Sequence, residues 1–242
     1  MEMFTAGWWM DKLMLAPGIL FGLVVHEFCH GYAAYRMGDP TAKWAGRLSL
    51  NPLRHLDLLG TVSLFLFRFG WAKPVPVDVR NFRRGRLGIV VTSLAGPLSN
   101  LAISLVLGLA VSVVLSAGMA KPSAFSSSWL RLSYLVLFNA FYINIVLAVF
   151  NLLPIPPLDG SNVVYGLLPP RAAAAYGRFI GRYGRGVLLA FFFIVFLGPM
   201  AGIPTDRVLG WVLKPPIALF ARGFSGHSVS ELFFVYQVLL GV

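Results

Sequence analysis

Several long apolar runs constrain this sequence more than any other feature, because a chain that carries them folds in lipid. The four strongest runs extend from about Leu13 to Tyr35, Leu87 to Met119, Trp129 to Leu153 and Val187 to Ile203. A membrane-spanning helix needs about 20 mostly apolar residues. Charged residues make up only 12% of the chain, against about 25% in soluble domains. The sequence therefore predicts an all-α polytopic membrane protein with about four to six transmembrane helices.

Shorter apolar segments explain why the number of transmembrane helices is given as a range. Val208–Ala221 and Glu231–Val242 are apolar but short for membrane spans. Leu58–Phe67 has only ten residues, which favours a re-entrant or interfacial hairpin whose backbone must be covered by protein. Trp71–Asp78 contains two prolines, which exclude a helix and favour an extended strand or loop. A short re-entrant or extended segment is therefore expected around residues 58–78.

Positive charge is concentrated between the apolar runs. The chain has 20 Lys and Arg against 9 Asp and Glu, a net charge of +11. A nucleic-acid site would need this charge on one water-exposed face, so we expect no nucleic-acid partner. Most of the basic residues lie between the first and second runs and after the third. By the positive-inside rule, these two regions face the cytoplasm of a multi-pass cell-membrane protein, whose partner is the lipid bilayer.

The first apolar run contains the sequence His26-Glu27-Phe28-Cys29-His30. Residues four apart lie on one face of a helix, so His26 and His30 can bind one Zn²⁺ through their imidazole nitrogens. Glu27 can then take a proton from a water that the metal activates. The pattern also occurs by chance in soluble helices, and a polar contact between helices is the alternative. An ionised Glu inside a membrane span is costly and by default functional. Cys29 is expected to pack as a small apolar residue.

A catalytic zinc site uses three protein ligands and keeps one position open. Only Asp159 joins Glu27 within strongly apolar surroundings, and it follows three prolines that break the third run. Gly160 is expected to permit a tight turn there. The alternative for Asp159 is to cap the next helix. Two further histidines, His55 and His227, lie in loops, where we expect them to be exposed to solvent.

Asn151 lies eight residues before Asp159, close to the expected helix break. Its side-chain N–H could donate to a developing oxyanion in the transition state. It could equally join two helices by a structural hydrogen bond. The sequence leaves both interpretations open.

Four motifs in this order resemble those of the site-2 protease family: residues 26–30, 70–76, 95–100 and 151–160. The resemblance covers about Ala16 to Gly166 and is closest to the compact bacterial branch without a PDZ or CBS domain. It implies a single membrane-embedded peptidase domain over residues 1–242, with C-terminal helices from about residue 172.

The family resemblance also implies a function. Its members are zinc metalloendopeptidases that cut transmembrane segments of other proteins within the bilayer. One zinc per chain would be held by His26, His30 and Asp159, and Glu27 would serve as general base. The segment like Gly70–Pro76 would lie near the active site as an extended edge for a substrate strand. Independently of the resemblance, the positive-inside rule predicts an active site on the cytoplasmic side, because His30 lies six residues from Arg36.

Three other readings use the same residues. A metal transporter or metal-binding membrane protein would need a second polar site along a path, and the second and fourth runs contain no carboxylate or histidine. Haem ligation would leave Glu27 and Asp159 without a role. A catalytically inactive relative would bind helices without cutting them, although the sequence contains every group that the reaction needs.

Overall fold

The structure is a computed structural model that describes residues 6–67, 70–120, 128–197, 202 and 205–240. In these residues the chain is helical apart from loops, two single-turn 3₁₀ helices and one antiparallel bridge between Leu56 and Ala72. The α-helices are α1 (Ala6–Met37), α2 (Thr41–Trp44), α3 (Leu58–Phe67), α4 (Gly85–Ala120), α5 (Ser128–Asn151), α6 (Asp159–Leu167), α7 (Pro170–Leu197), α8 (Thr205–Ser225) and α9 (Val229–Leu240). The 3₁₀ helices are Pro52–Arg54 and Val79–Asn81.

Three helices in the described part of the chain are long and apolar enough to cross a membrane. The spans are Leu13–Met37 in α1, Gly85–Ala117 in α4 and Trp129–Asn151 in α5. They confirm the all-α polytopic fold and the first three predicted runs. The fourth predicted run extends past the end of α7 into residues 198–201 and 203, which lie outside the described residues. The two shorter runs correspond to α8 and α9, except for residues 241 and 242, which lie outside the described residues. The total number of spans stays a prediction.

The centre of the fold is the contact between α1, α4 and α5. Gly18 of α1 lies directly against Ala140 of α5, where an added Cβ would be 2.5 Å from the Ala140 Cα. Only a hydrogen fits there, and this is how small residues let membrane helices approach closely. One turn further along α1, Gly22 packs against the side chain of Asn144. The close approach brings polar side chains of α5 against the helix that carries the two candidate histidine ligands.

A hydrophobic cluster holds the C-terminal helices against α5. Its fully buried aromatic residues are Tyr134, Phe138 and Phe141, and α8 and α9 contribute buried residues such as Ala221 and Leu232. Full burial of such side chains stabilises the packing by roughly 1.5–3 kcal/mol each. Residues beyond the motif-bearing core therefore complete its packing.

The connection between α1 and α4 folds back along α1. The run Leu58–Phe67 forms a helix and not the expected hairpin, since the Asp57 carboxylate accepts the Gly60 N–H at 2.8 Å and so caps its first turn. Trp71–Asp78 contains no helix, as predicted, and Ala72 makes the antiparallel bridge to Leu56. Residues 70–78 are named the extended segment. The N–H of Lys73 donates to the His55 carbonyl at 2.8 Å, which fixes this segment beside the preceding loop.

Buried Asp39 fastens the end of the extended segment to the end of α1. Its carboxylate accepts the backbone N–H of Asp78 at 2.7 Å, the side-chain N–H of Asn81 at 2.9 Å and the backbone N–H of Thr41 at 3.1 Å. Burial raises the pKa of Asp39, but these hydrogen bonds together outweigh it and hold the pKa below its usual value. The ionised carboxylate is therefore a structural anchor.

The expectation that His55 is exposed is wrong, because its side chain is only 1% exposed. The loop before α3 folds under itself, so that His55 Nε2 lies 2.7 Å from the Ser49 carbonyl. A carbonyl can only accept, and Nε2 therefore carries the hydrogen. His227 is half-buried rather than fully exposed.

Candidate metal centre

Three side chains predicted as metal ligands lie together in the interior. His26 and His30 are one turn apart on α1, and their Nε2 atoms are 2.9 Å apart. Oδ2 of Asp159, the first residue of α6, is 3.2 Å from each Nε2 atom. The side chains of the three residues are 6%, 12% and 17% exposed, respectively. The structure thus brings Asp159 against two histidines that precede it by 129 or more positions in the sequence.

The proline-rich break delivers Asp159 to this point. Helix α5 ends at Asn151, and α6 begins at Asp159 and packs against α4. The N-cap of α6 is Leu158, without a side-chain capping bond, so the capping alternative for Asp159 is wrong. Gly160 lies in the first turn of α6 and has no positive φ. It lies so close to the Leu152 carbonyl that a Cβ would not fit.

The hydrogen bond to His30 determines which of its ring nitrogens faces Asp159. His30 Nδ1 lies 2.7 Å from the backbone carbonyl of Thr92 on α4. The carbonyl can only accept, so Nδ1 carries the hydrogen and, in a neutral ring, Nε2 presents a lone pair.

A chain of two amides determines the same for His26. Its Nδ1 lies 2.6 Å from Oδ1 of Asn100 on α4. The amide nitrogen of Asn100 donates to the Gly22 carbonyl at 3.2 Å and to Oδ1 of Asn144 at 2.8 Å. The amide nitrogen of Asn144 donates in turn to the carbonyl of Ala140 at 2.8 Å. Since backbone carbonyls end the chain, both amide orientations are determined, and His26 Nδ1 must donate.

The three convergent atoms are therefore all acceptors. The lone pairs of two imidazoles and a carboxylate, 2.9–3.2 Å apart, repel one another unless a cation lies between them. Ligands of a tetrahedral zinc lie roughly 3.3 Å apart, given bond lengths of about 2.0–2.1 Å. A Cβ on Gly96 would lie 2.7 Å from His26 Nε2 and closer still to His30 Nε2. The glycine thus leaves the space in front of the two nitrogens free, and the residues fit a metal ion.

Glu27 lies beside this group but not within it. Its Oε2 accepts the backbone N–H of Val75 at 2.9 Å. Val75 belongs to the extended segment and stands between Pro74 and Pro76. The carboxylate is therefore oriented by the segment that the family resemblance led us to expect near the active site.

Asn151 and Cys29 were also singled out from the sequence. The Asn151 amide donates to the Leu147 carbonyl at 2.9 Å in the last turn of α5. Its role in the transition state stays a prediction. Cys29 is a half-buried free thiol in hydrogen-bonding reach of Ser99.

Several residues that shape the site were given no role from the sequence. Asn100 and Gly96 are in a motif that only the family resemblance singled out, and Thr92 contributes a backbone carbonyl. Asn144 carried a usable signal, because a polar side chain in a membrane span usually has a partner. Val75 also carried a usable signal, because it is flanked by two prolines and so has the one backbone N–H among these three residues.

The apolar helices and the three buried side chains with converging lone pairs together define a class of protein, a membrane protein that binds a metal ion. Residues 118–197 match the family model described as Peptidase family M50. A Bacillus subtilis (strain 168) protein named "Putative zinc metalloprotease YwhC" is 39% identical over 213 residues, covering 81% of this chain and 91% of that protein. The chain belongs to peptidase family M50, the family of the site-2 proteases, and its cofactor is Zn²⁺.

Mycobacterial relatives agree with this assignment. Proteins named "Putative zinc metalloprotease Rip2" are 29% identical over 191 residues in Mycobacterium tuberculosis (strain H37Rv) and 31% identical over 163 residues in Mycolicibacterium smegmatis. The first alignment covers 77% of this chain and 68% of the relative, and the second covers 65% and 57%. No solved structure matches this chain.

Proposed function

We propose that this protein is an intramembrane zinc metalloendopeptidase that hydrolyses peptide bonds in or near the transmembrane segments of other membrane proteins. The observation that carries the proposal is the convergence of three acceptor atoms beside an oriented carboxylate. The lone pairs of His26 Nε2, His30 Nε2 and Asp159 Oδ2 converge, and none of these three atoms carries a hydrogen. Glu27 directly follows His26 in the sequence. A transport protein would need the ligands but not the base.

In this mechanism the residues of the chain have separate roles. When bound, Zn²⁺ supplies Lewis-acid activation of water and of the scissile carbonyl. His26, His30 and Asp159 hold the ion. Glu27 takes a proton from the attacking water and gives it to the leaving amine. Asn151 is the candidate donor to the developing oxyanion, and it would exchange its bond to Leu147 for that contact.

The proposed site lies in the cytoplasmic half of a cell membrane. Arg36 marks the cytoplasmic end of α1 under the positive-inside rule. His30 and His26 are six and ten residues from it, which corresponds to depths of about 9 and 15 Å. The hydrocarbon core is about 30 Å thick. The catalytic residues and the packed C-terminal helices would form one membrane-embedded peptidase domain.

The proposed substrate is a transmembrane protein that unwinds locally. Peptide bonds in an intact helix are covered by side chains and already hydrogen-bonded. The extended segment Gly70–Pro76 passes Glu27, because Val75 contacts it. An unwound substrate strand can pair with this edge by main-chain hydrogen bonds.

The central test compares Glu27→Gln with the unchanged protein in lipid vesicles that contain a single-span substrate protein. We expect Glu27→Gln to keep zinc and to retain at most about a hundredth of the cleavage rate, since general-base catalysis contributes about 10²–10⁴-fold. Glu231→Gln, an exposed carboxylate on α9, is the matched control and should cleave normally. Near-normal turnover in Glu27→Gln would remove Glu27 from the mechanism.

Metal analysis tests the ligands independently of cleavage. His26→Ala and His30→Ala should lose most of their zinc, and Asp159→Asn should bind it more weakly because the anionic ligand is gone. His227→Ala, distant in the chain, should keep one zinc per chain. Full zinc occupancy in both His26→Ala and His30→Ala would overturn the ligand assignment. Full zinc occupancy in the unchanged protein, together with no cleavage of any substrate, would favour a catalytically inactive relative.

A further inference from the structure

Three basic residues are held together on the connection between α1 and α4. Arg47 Nη2 donates to the Lys73 carbonyl at 2.5 Å, and the Lys73 N–H donates to the carbonyl of His55, the neighbour of Arg54. Arg54 Nη1 donates in turn to the carbonyl of Gly46, the neighbour of Arg47. These hydrogen bonds close a ring through the three residues. Arg47, Arg54 and Lys73 are named the basic cluster.

The basic cluster has no counter-ion in the part of the chain that the structure describes. The ion pairs there join Asp159 to the two histidines and Asp78 to Arg80. Arg47 is only 9% exposed, and its Nε has no hydrogen-bond partner. A buried cation is normally paired with an anion, whereas the described residues offer Arg47 a backbone carbonyl. The missing negative charge is one that a bound molecule can supply.

Lys73 is the member of the cluster that a bound molecule can reach on the extended segment, because its side chain is exposed. It follows Ala72, which lines a small cavity together with Val24 of α1. It precedes Val75 by two residues, and the Val75 N–H contacts Glu27. Two residues of chain span at most about 7 Å. A substrate strand beside this segment would therefore pass Lys73 within about two residues of its scissile bond.

An anionic lipid headgroup is the other anion that a membrane offers to a basic cluster. The exposed pair of Tyr32 and Arg36, joined by a 3.2 Å hydrogen bond, marks the headgroup level at the end of α1. Glu27, beside the extended segment, precedes Arg36 by nine residues, which is a depth of about 14 Å. A lipid phosphate would have to leave the headgroup layer to reach this depth. A side chain of an embedded substrate is already there.

We propose that the basic cluster is a substrate subsite that binds an acidic side chain, aspartate or glutamate, of the unwound segment, with Lys73 as the contacting cation. The proposal rests on the proposed function, because it assumes that a peptide strand lies beside the extended segment. Arg54 is exposed as well and adds positive charge, and Arg47 fixes the Lys73 backbone. An unpaired carboxylate is costly within the bilayer, so the cluster would stabilise such a substrate at the site where it is cut.

The test measures peptide binding, so that it does not depend on cleavage. The probes are Leu/Ala-rich single-span peptides with a Gly-Pro break in the cytoplasmic half, carrying Glu or the nearly isosteric Gln in turn at each position near the break. Affinities are measured against zinc-loaded Glu27→Gln protein in phosphatidylcholine nanodiscs, at a mildly alkaline pH that ionises the peptide carboxylate. At one position near the break, Glu should bind about 10- to 100-fold more tightly than Gln, the effect of one hydrogen bond between charged groups.

Substitutions of Lys73, made in the same Glu27→Gln protein, separate its charge from the fold. Lys73→Gln removes the charge and keeps both backbone hydrogen bonds, so the Glu preference should fall about tenfold or more. Lys73→Arg keeps the charge and should keep the preference. Lys214→Gln, at an exposed lysine of α8, is the matched control and should also keep it. The double-mutant cycle of Glu and Gln peptides against Lys73 and its Gln variant cancels any difference in how the peptides insert into lipid.

The outcomes distinguish the subsite from the proteolytic activity. Equal affinity of the Glu and Gln peptides at every position, including no measurable binding of either, overturns the subsite. If the unchanged protein then retains phosphatidylglycerol and Lys73→Gln does not, the cluster binds lipid headgroups instead. A Glu preference that is undiminished in Lys73→Gln overturns the role of Lys73. Failure of the proposed function would appear separately, as zinc-loaded unchanged protein that binds the Glu peptides and cuts none of them.

Discussion

The backbone N–H of Val75 donates a 2.9 Å hydrogen bond to Oε2 of Glu27. Val75 stands between Pro74 and Pro76, and proline has no N–H. Of these three residues only Val75 can donate a backbone hydrogen bond, and its hydrogen holds the Glu27 carboxylate beside the proposed metal ligands. The segment proposed to carry the substrate strand is thereby joined to the proposed general base.

Removing this one hydrogen should impair catalysis without changing substrate affinity. Replacing the Val75 amide by an ester, through its α-hydroxy acid analogue, keeps the side chain and the extended backbone. Hydrogen bonds to charged groups are worth about 1.5–3 kcal/mol, so kcat should fall about 10- to 100-fold while KM and zinc content stay unchanged. Steady-state cleavage of a single-span substrate measures both constants.

Two controls accompany that experiment. Val75→Ile keeps the N–H and should behave as the unchanged protein, and the ester at Val77, beyond Pro76, should leave kcat intact. An unchanged kcat in the Val75 ester, or an effect on KM alone, would show that Val75 does not orient Glu27.

The amide chain behind His26 should control zinc affinity. Asn100→Ala removes the acceptor for the His26 Nδ1–H, and such outer partners are worth about 10- to 100-fold in metal affinity. Asn144→Ala should have a smaller effect, because Asn144 acts through Asn100. Competition with a zinc chelator gives the affinities.

A matched asparagine on α5, the helix that carries Asn144, separates this effect from general damage to the helix packing. Asn139 donates to the Leu135 carbonyl and to the Tyr236 hydroxyl, away from the metal ligands. Asn139→Ala should reduce thermal stability and keep the zinc affinity. A loss of zinc affinity as large in Asn139→Ala as in Asn100→Ala would contradict the positioning role of Asn100.

The convergence of His26, His30 and Asp159 was predictable because the signals for it are local. Helical spacing alone places His26 and His30 on one face, and three prolines indicate where α5 must end before Asp159. The environment of His55 was not predictable in this way. Its loop contains Pro52, charged residues and a turn signal typical of a surface segment, and only the packing against α1 buries it.

The partners of the site depend on contacts between distant segments. Asn100 meets His26 only because α1 and α4 pack closely, with glycines at the contacts. Asn144 reaches Asn100 because Gly22 leaves room for its side chain. Periodicity in a single helix carries no information about such contacts. This explains why the three converging residues could be named from the sequence, whereas the residues that orient them could not.

Gly96 should be essential for metal binding although it contributes no ligand. An added Cβ would lie 2.7 Å from His26 Nε2 and closer to His30 Nε2, inside van der Waals contact, where the ion must sit. Gly96→Ala should therefore lose most of its zinc. Gly181 of α7 has open space around a Cβ, so Gly181→Ala should keep zinc and be as stable or slightly more stable. Metal analysis with thermal unfolding checks both, and full zinc occupancy in Gly96→Ala would contradict the inferred position of the ion.

The anchor at Asp39 predicts a specific pH dependence of stability. The pKa of Asp39 in the folded protein lies below its ordinary value of 3.8. A depressed pKa means that the stabilisation is fully present above pH 3.8 and is lost as the pH falls below it through the folded pKa. Asp39→Asn should lower Tm at neutral pH by roughly 5 °C, because an amide nitrogen would face the donor of Asp78 or Asn81.

The Tm difference between Asp39→Asn and the unchanged protein should shrink as the pH falls below 3.8, because protonation removes the charge of Asp39 from the unchanged protein as well. Asp78→Asn is the control. Hydrogen bonds from the exposed Arg80 lower the pKa of Asp78 to about 2, but exposed ion pairs contribute little to stability. The Tm of Asp78→Asn should therefore differ little from that of the unchanged protein at neutral pH. Thermal unfolding in detergent between pH 7 and pH 3 measures both variants. An Asp39→Asn protein that is as stable as the unchanged one at neutral pH would show that Asp39 does not anchor the segment that holds Val75 against Glu27.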